Sequence, residues 1–225
     1  MDSKADVRKR RILQWALFPI MVITILFGYW FPILGFTVPI VMIIGIAGGF
    51  FNGRYVCGNL CPRGSFFDRP MWFISRKDGK VPEYMKSMTF RWSLFAVLMT
   101  FMVYRISLNP TDINHLGRTF WMMCTITSAL GIVLALVYHP RTWCSICPVG
   151  TFGNAIGGHK NQLRIDSAKC RECGICEKAC PMGLEIVRHK RYGVMSDRDC
   201  VKCSECSAVC PCRALEFESG YRKAS

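Results

Sequence analysis

Cys170-Arg-Glu-Cys173-Gly-Ile-Cys176-Glu-Lys-Ala-Cys180-Pro181 and Cys200-Val-Lys-Cys203-Ser-Glu-Cys206-Ser-Ala-Val-Cys210-Pro211 spell one pattern twice, CxxCxxCxxxCP. Thiolates at i, i+3 and i+6 curl around three irons of one iron–sulfur cube. The fourth, held beside a proline that prevents regular helix, points away toward a second cube. The ligand sets are therefore expected to cross. One [4Fe–4S] cluster takes Cys170, Cys173, Cys176 and Cys210, and the other takes Cys200, Cys203, Cys206 and Cys180. The two motifs then make one small domain.

Competing explanations of this spacing are weaker. A disulfide framework needs an oxidising compartment and has no reason to repeat the same tight interval. Zinc sites favour two CxxC pairs and leave the third cysteine and the Cys-Pro unexplained. The pattern is the bacterial ferredoxin signature. Leu163 to Asp166 has the alternation of a first strand and Ala214 to Glu218 that of a last one. Between them the cysteine loops leave little room for a conventional core, so bound clusters supply much of the stability.

Upstream the chemistry changes. The chain is 51% hydrophobic with a mean hydropathy of +0.23, and the apolar excess lies almost entirely before residue 140. Ile12 to Phe31 and Ile33 to Phe51 are uncharged for 20 and 19 residues, enough to cross a hydrocarbon core of about 30 Å. Trp92 to Leu108 carries only Arg105, near enough to its end to snorkel, and Thr119 to Tyr138 is uncharged for 20 residues. The first run is too long for a cleaved signal peptide and is followed almost at once by another. Pro19 and Pro39 are tolerable kinks, and Gly45, Gly49 and Gly53, at four-residue intervals, suit close helix packing.

Basic residues set the expected orientation. Lys4, Arg8, Lys9, Arg10 and Arg11 precede the first span, and eight more, including Arg54, Arg63, Arg69, Arg76 and Lys77, lie between Asn52 and Arg91. The turns on the other side hold little besides Arg105 and Arg118. Both termini and the long middle loop are expected in the cytoplasm, with the protein in the cytoplasmic (inner) membrane. The formal charge of +14 thus needs no nucleic acid to explain it, and no nucleic-acid motif accompanies it. Each cubane with four thiolates also brings about −2.

Two further cysteine pairs follow the second and fourth spans. Arg54-Tyr-Val-Cys57-Gly-Asn-Leu-Cys61-Pro62-Arg-Gly64-Ser65-Phe66 is matched by Arg141-Thr-Trp-Cys144-Ser-Ile-Cys147-Pro148-Val-Gly150-Thr151-Phe152, the same run with one residue deleted. This is a parallel internal repeat whose copies emerge on one face, so Cys57, Cys61, Cys144 and Cys147 are expected to converge. Four readings are open for them: a third iron–sulfur cluster, a redox-active thiol pair, transient handling of copper or zinc, and small packing residues beside helix-ending Pro and Gly. Cys124, inside the fourth span, reads as a packing residue, and Cys212 as a free thiol beside the first cluster. His115 and His139 lie near opposite span ends with no second histidine at helical spacing, which argues against haem. The tryptophans near span ends, such as Trp15, Trp30, Trp92, Trp121 and Trp143, suit interface anchoring.

The resulting organisation is a basic N-terminus (1–11), a four-helix membrane domain of two repeated hairpins (12–152), a flexible link (153–163), a ferredoxin-like α+β domain with two [4Fe–4S] clusters (164–218), and a tail (219–225). With about twenty residues between Cys147 and Cys170, the ferredoxin is expected directly beneath the repeated motifs.

Four spans, CxxxCP and CxxCP after the second and fourth, and a C-terminal CxxCxxCxxxCP pair resemble the NapH/MauN family of polyferredoxin-type membrane proteins. Related modules occur in NosR-type and CcoG proteins. The resemblance covers nearly the whole chain. It implies electron transfer at the cytoplasmic membrane, with quinol oxidation or maturation of a partner redox enzyme attached to it. Family members commonly carry CxxxCP in both copies, whereas Cys144 to Pro148 is one residue shorter. No motif supplies a substrate-handling acid or base, so the chain reads as an electron-transfer subunit and not a complete enzyme. Its expected partners are the bilayer, a redox protein or membrane subunit, and quinone or quinol. The alternative is an assembly factor that reduces a metal or disulfide for a client enzyme. A membrane-tethered iron–sulfur regulator is a third class, without an effector-domain signal.

Overall fold

Stretches rich in Leu, Ile, Val, Phe and Met form the long helices of the computed structural model, which describes residues 3–75 and 81–217. Arg76 and Lys77 of the middle loop, Glu218 of the expected last strand, and the tail 219–225 lie outside the described residues. Helix α1 is Ser3–Phe27, and a 3₁₀ turn, Pro32–Phe36, leads into α2, Thr37–Asn52. Short helices α3 (Tyr55–Asn59), α4 (Pro62–Asp68), α5 (Pro70–Ile74) and α6 (Glu83–Lys86) follow. Then come α7 (Met88–Leu108), α8 (Ile113–Val137), α9 (Thr142–Ile146) and α10 (Pro148–Gly157).

Lys4–Phe27, Pro32–Asn52, Met88–Leu108 and Ile113–Val137 are long and apolar enough to cross a membrane. Their outward faces expose Ile23, Ile43, Val97, Val103, Ile126 and Val133. An apolar surface of that extent is consistent with a membrane protein. The helix limits differ from the expected spans. α1 begins within the basic segment, which extends the helix past the apolar run, and it stops ahead of Gly28 and of the Pro32 that disfavours helix at Phe31. α7 starts at Met88, where the Ser87 side chain accepts the Phe90 N–H at 3.3 Å. α8 starts at Ile113 because Asp112 caps it, accepting the Asn114 N–H at 2.9 Å.

Residues 153–157 of the expected flexible link are helical, as the second half of α10. That helix runs against the small-residue face of α2. A Cβ on Gly49 would sit 3.4 Å from the Gly153 Cα, and one on Gly157 would lie 2.1 Å from the Gly49 carbonyl oxygen. Only glycine lets the two backbones meet this closely, so the link is a packed joint.

The C-terminal domain adds β1 (Leu163–Ile165), α11 (Ile175–Lys178), a 3₁₀ turn (Val187–Tyr192), α12 (Glu205–Val209) and β2 (Leu215–Phe217). The strands pair antiparallel, with Leu163 opposite Phe217, Arg164 opposite Glu216 and Ile165 opposite Leu215. Apolar packing is more extensive than the cysteine loops suggest: Leu163, Ile165, Met182, Leu184, Ile186, Met195, Val201 and Leu215 are all buried. They join one continuous core with Phe67, Met71, Ala135, Trp143 and Ile146 of the helical domain. The two domains therefore share a core, and the cysteine-bearing segments lie across the boundary.

Candidate metal centres

Both copies of the CxxCxxCxxxCP motif turn the same way. Glu172 and Gly174 flank Cys173 with φ of +57° and +70°, and Lys202 and Ser204 flank Cys203 with φ of +54° and +60°. Alternating left-handed residues curl the backbone and aim its N–H groups inward, as in anion-binding nests. The results are two separate cavities. Cys170, Cys173, Cys176 and Cys210 line one, together with Cys212. Cys180, Cys200, Cys203 and Cys206 line the other. The fourth cysteine of each motif thus faces the cavity of the other motif.

Backbone donors point at these sulfurs. The Ala214 N–H lies 3.4 Å from the Cys210 Sγ, and at the repeat-related position the N–H groups of Met182 and Leu184 point to Cys180. Lys202 N–H does the same for Cys200, and Glu205 N–H for Cys203. As free thiols Cys180, Cys200 and Cys203 are held protonated. Burial, then the neighbouring sulfurs, pushes Cys180 up to about 12, and burial alone dominates the rise of Cys200 to about 11. Four thiols around a cavity with N–H donors to sulfur fit a [4Fe–4S] group, whose binding would displace those protons.

In the helical domain, Cys57, Cys61, Cys144 and Cys147 all border a cavity of about 170 Å³. Cys61 and Cys147 are extended, with ψ of 119° and 136°, and Pro62 and Pro148 open α4 and α10 directly after them. Proline suits the first helical position, having no N–H to leave unpaired. Burial pushes Cys57 up to about 11 and Cys144 to about 12, with the sulfurs of Cys61 and Cys147 adding to both. Among the described residues, no group of three or more His, Cys, Asp or Glu side chains is arranged to hold a single metal ion.

Two arginines close this site by exchange between the repeats. Arg54 donates to the Cys144 carbonyl, and Arg141 donates to the Cys57 carbonyl at 2.9 Å. Each stands three residues before its own first cysteine and holds the first cysteine of the other copy. Their passage accounts for the glycine of each Cys-Pro-x-Gly. A Cβ on Gly150 would meet the Cys144 oxygen at 2.7 Å and an Arg54 nitrogen at 2.8 Å; on Gly64 it would meet the Cys57 oxygen at 2.8 Å and an Arg141 nitrogen at 3.3 Å. Sequence reading passed over these arginines, although their equal offset in both copies was the available signal.

Both guanidiniums are buried and need counter-charge. Arg141 is bidentate to Asp68 at 2.6 Å on both oxygens, and Asp68 also accepts from Arg10 at 2.6 Å and Gln14 at 2.7 Å. Arg54 reaches Asp199 at 2.6 Å, and Asp199 is further held by Arg91 and by Asn154 at 2.6 Å. Burial opposes ionisation of both aspartates, but the arginines outweigh it and hold each below the usual carboxylate range. Asp199 immediately precedes Cys200, so one carboxylate ties the second ferredoxin cavity to the arginine over Cys144. Arg10 extends the tie, donating to Glu205 at 2.9 Å and lying 3.5 Å from the Cys203 carbonyl.

Of the other singled-out residues, Cys124 is buried in α8 and accepts from Arg63 through its carbonyl at 3.1 Å. His115 contacts the Arg105 carbonyl through Nε2 at 2.8 Å. His139 is buried between Trp72 and Gly183, and burial pulls its pKa down to about 4.

Comparison with known proteins finds 4Fe-4S domains in both halves of the chain. A model described as a 4Fe-4S dicluster domain matches residues 169–215. A ferredoxin of Methanothermococcus thermolithotrophicus is 38% identical over 55 residues, 24% of this chain and 92% of that protein. The chain belongs to the 4Fe-4S ferredoxin family. Its electron-transfer function is of the iron–sulfur, ferredoxin-like kind. A ferredoxin-like protein in the vnf region of Azotobacter vinelandii is 35% identical over 54 residues, covering 22% of this chain and 82% of its own length. A second model, described as a 4Fe-4S binding domain, matches twice, at residues 34–80 and 121–165, the two copies of the Cys-Pro repeat. Over most of its length the chain is similar to an uncharacterised protein of Methanocaldococcus jannaschii, 28% identical over 187 residues, 80% of this chain and 70% of the other. No solved structure matches the chain.

Proposed function

We propose that this protein is a membrane-bound electron carrier with three cubane sites, two in the ferredoxin domain and a third on Cys57, Cys61, Cys144 and Cys147, lying between a lipophilic carrier and a redox partner. The observation that carries the proposal is that the twelve motif cysteines fall four to each of three cavities, which Cys124 and Cys212 also line at the helical-domain and first ferredoxin cavities. When loaded, the clusters supply one-electron chemistry. The chain's part is to hold the sets in series, exclude water and fix the surrounding charge. The likeness to the NapH/MauN family belongs to the same proposal, as does a cytoplasmic-membrane location with the ferredoxin on the cytoplasmic side.

Charge balance supports the third site. Arg54 and Arg141 have aspartate partners, whereas Arg63, which also lines the 170 Å³ cavity, has no carboxylate partner among the described residues. A cation in apolar surroundings is costly unless an anion lies near, and four thiolates around a cubane leave a net negative charge. Single-ion copper or zinc handling is less well supported, since no group of three or more His, Cys, Asp or Glu side chains among the described residues is arranged to hold one ion.

The cavity also extends away from the cysteines into the helices, bordered by Met21, Met42, Met99, Met102, Phe120 and Met123. An apolar chamber that reaches the sulfur site suits a quinone ring, which makes the quinone pool the favoured lipophilic carrier. Iron and acid-labile sulfide per chain after anaerobic purification test the reading. About twelve of each are expected, falling to about eight in Cys57→Ser/Cys144→Ser with the ferredoxin signals kept. Eight in both proteins would remove the third cluster.

A further inference from the structure

The ferredoxin domain turns unequal faces to its surroundings. Asp199, Lys202 and Glu205, beside the second cavity, are buried against the helices. Around the first cavity Cys173 is exposed, a Cβ on Gly174 would meet nothing within 4 Å, and Ile175 is 44% exposed. This open wall is where another protein could come near a bound cluster.

Its charge is one-sided because the acids nearby are already engaged. Glu172 pairs with Lys190 at 2.8 Å, Asp166 with Lys169 at 2.8 Å, and Glu185 with Arg188 at 3.7 Å. Glu177 accepts the Val187 N–H at 2.8 Å. Arg171 lines the cavity itself, Arg213 follows the cavity-lining Cys212, and Arg191 lies near Glu172, next to Cys173. These three arginines, and Lys178 two residues beyond Cys176, are in no ion pair among the described residues, and all four are exposed. An excess of exposed arginine this far along the chain from the last long helix is not explained by the orientation rule for basic loops beside a bilayer.

We infer that the exposed rim of Arg171, Arg191 and Arg213 around Cys173 docks an acidic one-electron carrier protein, whose carboxylates pair with the three guanidiniums while Ile175 supplies an apolar centre. Arginine suits the task, since its planar fork pairs with carboxylates in two-point fashion. Long-range attraction of opposite faces speeds encounter and fixes orientation, and it weakens as salt rises. The inference rests on the reading that this cavity holds a cluster.

The experiment uses the full-length holoprotein in nanodiscs of neutral lipid, with an acidic flavodoxin as the probe and a basic cytochrome c as its counterpart. Flavodoxin is expected to bind, with affinity falling at least tenfold between about 50 and 300 mM salt, and cytochrome c to bind weakly. Arg171→Glu/Arg191→Glu/Arg213→Glu should lose at least tenfold for flavodoxin and gain for cytochrome c, at unchanged iron content. If that variant loses iron, the neutral Arg171→Gln/Arg213→Gln replaces it, with a smaller loss expected. Flavodoxin binding that ignores salt, or survives the substitutions, overturns the inference. So does a loss confined to binding of anionic-lipid vesicles, which would make the rim a lipid contact. Iron content of the wild type separates the two ideas: clusters without salt-sensitive docking sink the rim alone, and protein without iron sinks the cluster reading.

Discussion

The ferredoxin domain and the repeated Cys-Pro region each present cysteines in fours, but they assemble them by different physics. In the ferredoxin, three members of each set lie within seven consecutive residues, and left-handed positions such as Gly174 and Ser204 turn the loop around its own cavity. In the helical domain, the cross-repeat contacts join residues 84 and 90 positions apart, and buried arginines with distant aspartates hold them. The first arrangement is written in local backbone geometry. The second depends on charge brought together by the fold, so loss of one carboxylate should separate the two.

Asp199→Ala is the largest such perturbation. It leaves Arg54 and Arg91 buried without their shared partner, a change that costs about 3–5 kcal/mol when a buried pair is broken from one side. From the roughly twelve irons of the proposed loading, iron is expected to fall toward about eight per chain as the site near Cys144 opens, while low-temperature EPR still reports the ferredoxin clusters. Asp166→Asn, which breaks the exposed pair with Lys169, should leave the thermal midpoint unchanged. Equal effects from the two substitutions would contradict the contrast.

A smaller effect is expected where the regions meet. His139 packs its ring against Trp72 on one side and Gly183 of the ferredoxin domain on the other. Burial holds it neutral, with its pKa down from 6.5 to about 4. The unfolded chain therefore binds more protons between those values, and stability falls as pH drops from about 6.5 toward 4. The loss is about 2 kcal/mol at pH 5, a shift of a few degrees in thermal midpoint. His139→Phe should flatten the profile over that window. A variant with the same slope as the wild type would assign the acid sensitivity elsewhere.

The same contrast explains what the sequence disclosed. Cysteine spacing is local, so the crossed grouping of the ferredoxin cysteines was legible, and both strands begin within a residue of where the alternation placed them. Apolar runs marked the four long helices but not their ends, because Asp112 and Ser87 cap helices that begin before the uncharged stretch does. The arginine exchange was hidden for another reason. Arg54 and Arg141 read as ordinary basic residues beside membrane spans, and only the packing of one repeat on the other gives each a carbonyl to hold. The glycines at 153 and 157 read as flexible until α2 supplied the small-residue face that α10 needs.

Arg63 is where the two copies of the repeat differ in charge, since Val149 stands at the matching position. Its guanidinium donates to Thr127 Oγ1 at 2.9 Å, lies 5.9 Å from the centre of the Trp143 ring and borders the cavity shared by the four cysteines. A fixed cation in a medium of low polarity favours the more negative, reduced state of any centre held there. Arg63→Leu should therefore lower the potential of the proposed third centre by about 60 mV, equivalent to about 1.4 kcal/mol for a one-electron couple. The ferredoxin potentials, set by their own N–H donors and solvent exposure, should stay in place. EPR-monitored redox titration distinguishes the outcomes. A shift shared by all three centres would point to a general loosening of the fold, and no shift at all would mean that the charge of Arg63 is spent on Thr127 and Trp143 and is not felt at the sulfurs.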